Sequence, residues 1–77
     1  MNNSRRKRIN QSIIALTGAK DKMQKALDEE KAALARIPDD DDNEEMRDGM
    51  DEIISGLEDA ISSLEEALDT LNGTDFW

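Results

Sequence analysis

The chain contains no cysteine, no histidine and no tyrosine among its 77 residues. Without cysteine there is no disulfide, no thiol nucleophile and no thiolate metal ligand. Without histidine it lacks the commonest general base and the commonest metal ligand near neutral pH. No nucleophile–base pair and no glycine-rich phosphate loop is present either, so catalysis is not expected and no catalytic or cofactor-binding residue is assigned. The longest apolar run is a few residues, far short of a membrane span. The basic N-terminus is not followed by the apolar stretch of a secretory signal, so the expected location is the cytoplasm. A single proline and two aromatic residues, Phe76 and Trp77, complete what is scarce. A chain this short makes at most one domain and rarely stabilises itself with one small core, so self-association is expected.

What is abundant is charge, and it is divided. Residues 1–37 carry nine Lys/Arg and four Asp/Glu, net +5, whereas residues 38–77 carry one Arg and fifteen Asp/Glu, net −14. Halves of opposite sign are suited to pairing with each other.

Each half has helical periodicity. In the first, Ile9, Ile13, Leu16, Lys20, Met23, Leu27, Glu30, Leu34 and Ile37 follow alternating steps of four and three, interrupted in character only at Lys20 and Glu30. This heptad seam predicts a helix over about residues 4–37, with Ser4 as N-cap and Pro38 as terminator. In the second, Met46, Met50, Ile53, Leu57, Ala60, Leu64, Ala67 and Leu71 form the seam, and a flanking row adds Ile54, Ile61 and Leu68. The apolar face is therefore wider than a two-helix contact requires. This helix is predicted over about residues 44–72, with Asp41 or Asp42 as cap in a capping box with Glu44 or Glu45, and Asn72-Gly73 as its stop. Small residues recur every seven positions beside both seams: Ser12, Ala19, Ala26 and Ala33, then Gly49, Gly56, Ser63 and Thr70. They suggest close backbone approach. The plainer reading is that alanine is a good helix former and glycine a tolerated cost.

The connection "PDDDDN", residues 38–43, is short enough to make the helices antiparallel neighbours. The expected fold is all-α: one coiled-coil-like helical hairpin with a tail over residues 73–77, assembling into a homodimeric four-helix bundle or a higher oligomer. The expected core is Ile13, Leu16, Met23, Leu27, Leu34, Met50, Ile53, Ile54, Leu57, Ile61, Leu64, Leu68 and Leu71.

The acidic turn invites a calcium reading. Aligned from Asp39, oxygen ligands fall at the first, third and fifth positions, but Glu44 and Met50 stand where an EF-hand needs glycine and glutamate. The turn is read as a solvated cap, with no metal assigned.

The sequence opens with "SRRKR", although cations in a helix's first turns oppose the helix dipole. In an antiparallel hairpin Arg5, Arg6, Lys7 and Arg8 approach Glu65, Glu66, Asp69 and Asp75, which would neutralise them. The same end also gathers Phe76 and Trp77. Arg and Trp together suit a binding hot spot or the stacking of a base, while a plain hydrophobic closure against Ile9 and Ile13 serves equally well. A nuclear address is the weakest reading of four cations.

The pattern "NSRRKRINQSI", an acidic turn and "GLEDAISSLEEALDTLN" resembles small acidic helical-hairpin proteins encoded by bacterial phages and mobile elements. The resemblance implies a host-cytoplasmic protein without catalytic residues, of a kind that inhibits host defence or nucleic-acid-processing proteins. "GTDFW" has no counterpart in it. Three functions remain open. One is an inhibitor that presents an acidic, DNA-mimicking surface of Asp51, Glu52, Glu58, Asp59, Glu65, Glu66 and Asp69 to a basic protein. Another is an oligomeric sponge for nucleotides or other small anions. The third is a structural coiled-coil element whose partner is its own kind. Direct nucleic-acid binding and membrane binding are not expected.

Overall fold

A computed structural model describes residues 3–73 of the chain. Two long helices, α1 (Asn3–Ala35) and α2 (Glu44–Gly73), are joined by a turn that contains a single 3-10 turn, Asp41–Asn43. The helices pack antiparallel into a rod 60 Å long and 15 × 13 Å across. The chain is thus an all-α helical hairpin.

The α1 seam lies where the periodicity puts it. Ile9, Ile13, Leu16, Met23, Leu34 and Ile37 are half-buried and Leu27 is buried. Lys20 and Glu30 share this face and are half-buried too, because their long aliphatic stems can cover apolar surface while the charged ends reach water.

On α2 the seam runs one position further along. Ile54 and Ile61 are buried and form the core with Leu27; Met23, Leu34 and Leu57 pack against it. Met50, Leu64, Leu68 and Leu71 are half-buried. Met46 and Ile53, expected in the seam, are instead 57% and 52% exposed. The row Ile54–Ile61–Leu68 therefore faces α1, and the row Met46–Ile53–Ala60–Ala67 lies at its margin. Two apolar rows adjoin on α2, and only one can point at a single neighbour.

The turn settles which row does so. Arg47, one residue after Met46, reaches back to the end of α1. Its Nη1 donates to the carbonyl of Ile37 at 2.6 Å and to that of Leu34 at 3.4 Å, and its Nε lies 3.7 Å from Asp39 Oδ1. A guanidinium at a helix C-terminus satisfies carbonyls without an intrahelical partner and is favoured by the dipole. With Arg47 turned to α1, positions at heptad spacing from it, Ile54, Ile61 and Leu68, follow.

The helix ends differ from expectation in detail. α1 runs from Asn3, which leaves Ser4 inside the helix rather than at its cap. It stops at Ala35 and tightens through Arg36 N–H to Ala33 O and Ile37 N–H to Leu34 O, both 3.1 Å. Ile37 precedes Pro38 and so disfavours helical geometry. The cap ahead of α2 is Asp40, not Asp41 or Asp42. Its carboxylate accepts from the backbone N–H of Asn43 at 3.1 Å and from the Asn43 side-chain amide at 2.9 Å. The same amide donates to Pro38 O at 3.3 Å, so Asn43 ties the turn together. Glu44 and Glu45 then occupy the first turn of α2, where the dipole favours carboxylates. α2 continues through Gly73, whose φ is not in the left-handed region.

The close-approach reading of the small-residue rows does not hold within the hairpin. A Cβ added to Gly49 or Gly56 would meet nothing within 4 Å, and Ser63 and Thr70 are exposed. On α1, Ala19 and Ala33 are half-buried, while Ser12 and Ala26 are exposed.

Candidate functional site

The carboxylates named from the sequence are brought onto one continuous element. Asp51, Glu52, Glu58, Asp59, Glu65, Glu66 and Asp69 are all exposed on α2. Six of them recur as pairs every seven residues, two helical turns or about 10.5 Å apart, and Asp69 follows the third pair. The only cation within α2 is Arg47, and it is committed to α1. Among ion pairs between the helices, Lys31 Nζ lies 3.8 Å from Glu58 Oε2, with both side chains about half exposed. Such a pair contributes ~0–1 kcal/mol and leaves the negative character of the surface intact.

The acidic turn forms a shallow open concavity lined by Asp39, Asp40, Asp41, Glu44, Arg47, Asp48 and Asp51. Some of its groups are already used: Asp40 caps the 3-10 turn, and Arg47 lies 3.7 Å from Asp39. No group of three or more potential ligands with metal-binding geometry occurs among the described residues.

At the opposite end of the rod, Arg5, Arg6, Lys7 and Arg8 are exposed on the first two turns of α1. Arg5, Arg8, Ile9 and Ser12 line a shallow groove, and the Ser12 hydroxyl donates to Arg8 O at 3.0 Å. Their level relative to α2 follows from the core. Leu27 packs with Ile54 and Ile61, so it stands level with about residues 57–58. Counting outward residue for residue, Asp69 is level with about residue 15, and Glu65 and Glu66 lie deeper still. The basic cluster therefore stands about two helical turns beyond Asp69, the nearest of these carboxylates. The expected neighbours Asp75, Phe76 and Trp77 lie outside the described residues.

Sequence reasoning missed two turn residues, Arg47 and Asn43. Arg47 had a legible signal, as the lone cation in a half that is otherwise acidic. Asn43 follows Asp40 at cap spacing, but four consecutive aspartates obscured which one caps. Among the described residues no helix is long and apolar enough to cross a membrane. Comparison with family models, with curated proteins and with solved structures yields no match to this chain.

Proposed function

We propose that this chain is a non-catalytic interaction protein that presents the acidic side of α2 to a basic surface on another protein. The observation that carries this reading is the row of exposed carboxylate pairs, held at fixed spacing on one long helix whose single cation, Arg47, is turned to the end of α1. A rigid array of this kind focuses negative potential and steers association with a basic cleft. Fixed carboxylates can stand in for phosphates, so the class of partner favoured is a protein that itself binds nucleic acid, as an inhibitor from a phage or mobile element would require. The basic groove at Arg5 and Arg8 supports a small-anion sponge less well, since it is shallow and open.

The test is capture from nuclease-treated host lysate with the tagged chain at moderate salt, followed by competition with duplex DNA. A saturably bound protein, displaced by DNA and released as salt rises, is the expected result. Replacing Asp51→Asn, Glu58→Gln and Glu65→Gln together should weaken the captured complex at least about tenfold, since three charge-assisted contacts are lost. Undiminished binding of this variant would overturn the acidic-surface reading.

A further inference from the structure

The hairpin has two unlike faces. One is polar and carries the Lys31–Glu58 pair, each residue four positions after a core residue, Leu27 and Ile54. The other is made of the residues one position before the seam: Ser12, Ala19, Ala26 and Ala33 on α1, and Met46, Ile53, Ala60 and Ala67 on α2. One residue is a rotation of about 100°. Because the helices run in opposite directions, the same step on each leads to the same side of the hairpin. This face contains no charged residue in either row, and it holds two of the most exposed large apolar side chains, Met46 and Ile53. Gly49 and Gly56 border it, and open space lies above both.

We propose that this face is the interface with a second copy of the chain, packed so that the two turns lie at opposite ends of a four-helix bundle. The assignment does not rest on the acidic-surface reading; the Asp51–Glu58–Glu65 row stays on the outside.

Area argues for a partner. The chain exposes 5777 Å², whereas a compact monomer of 8.6 kDa exposes about 4,700 Å². The excess, about 1,000 Å², is comparable to the ~800 Å² that each partner contributes to a stable interface. Among the described residues, only Leu27, Ile54 and Ile61 are buried hydrophobics in the hairpin alone, a core too small to be expected to hold so long a rod unaided.

The charge at the two ends argues that the partner is this same chain, in the reversed direction. The turn end, residues 36–48, holds two cations and seven carboxylates, net −5, while residues 5–8 at the other end are four consecutive cations. Stacking the faces with the turns together would concentrate two such acidic ends. Reversing the second copy brings each basic end up to the other's acidic turn. The open rows fit this reversal. With the two-fold axis at Ala26, level with the stretch between Gly56 and Ala60, Ala26 meets the partner's Ala26 and Ala19 meets the partner's Ala33. On α2, Ile53 stands opposite the partner's Ser63 and Gly56 opposite the partner's Ala60, large against small. The small residues that make no close contact within the hairpin make it between hairpins.

The chain has no cysteine, so one introduced thiol is a clean probe. Light scattering of the unmodified protein at micromolar concentration should give twice the chain mass. Ala26→Cys should oxidise to a disulfide-linked dimer, because a residue on the axis faces its own copy, whereas Gln24→Cys on the polar face should not. Ile53→Asp should weaken self-association on the order of 100-fold, since it places an unpaired carboxylate in an apolar contact. A monomeric mass for the unmodified protein overturns the proposal. So does a dimer in which Ala26→Cys fails to cross-link or Gln24→Cys cross-links equally well; the cross-linking result stands even if Ile53→Asp cannot fold.

Discussion

At the residue scale, Arg47 is the charged group that ties the two helices together at the turn. One side chain joins the start of α2 to the last carbonyls of α1 and stands beside Asp39. The Asp39 carboxylate is almost fully exposed, so the carbonyl hydrogen bonds carry most of the effect. Arg47→Ala should lower unfolding free energy by about 2 kcal/mol in urea denaturation, the scale of hydrogen bonds to a charged group. An unchanged midpoint would mean that the turn holds without it. Lys20 makes the opposite case, a polar residue in an otherwise apolar row. Lys20→Leu should stabilise by about 1 kcal/mol, since a half-buried leucine gains part of its full burial energy. The same assay reads it, and a lower midpoint would contradict the seam assignment.

At the element scale, the two helices differ in how much side-chain pattern decides. α1 has one apolar stripe and so one way to face a neighbour; its seam was legible residue by residue. α2 has two adjoining rows, and nothing in its own periodicity says which turns inward. That was decided by the turn, through Arg47 and the Asp40–Asn43 cap, whose geometry depends on backbone angles rather than on hydrophobic spacing. The same limit explains why Asp40 was not singled out among four aspartates. Of the candidate site, the carboxylates were legible because charge on a helix with few apolar alternatives must face solvent. The level of the basic cluster was not, because it depends on how far one helix overhangs the other. Leu57 tests the shared part of the α2 assignment, since it belongs to the seam in either register and packs against the core. Leu57→Asp should abolish the helical circular-dichroism signal at room temperature, since a charge set into the apolar contact between the helices exceeds what so small a core can offset. A folded variant with an unchanged melting temperature would show that the contact is assigned wrongly.

At the scale of the whole molecule, length dominates. The radius of gyration is 17.7 Å, against about 11.5 Å for a compact chain of this size. A rod separates its ends electrically: the acidic turn and the basic start of α1 are farther apart than the Debye length of about 8 Å at physiological salt. Within one hairpin, each end therefore meets its surroundings almost independently. A partner drawn to one does not sense the other, and the acidic surface of α2 runs between them.

The same elongation governs how the molecule moves through solution. A body four times longer than it is wide meets more friction than a sphere of its mass. It therefore sediments slowly and leaves a sizing column early, so a lone hairpin would elute where a globular protein of greater mass does. Side-by-side packing of two hairpins thickens the rod while lengthening it little. Doubling the mass would then change elution far less than it changes scattered light or the sedimentation coefficient. Rotational diffusion carries the same signature: end-over-end tumbling is much slower than spin about the long axis, so a rigid label near the middle of α2 would depolarise at two well-separated rates.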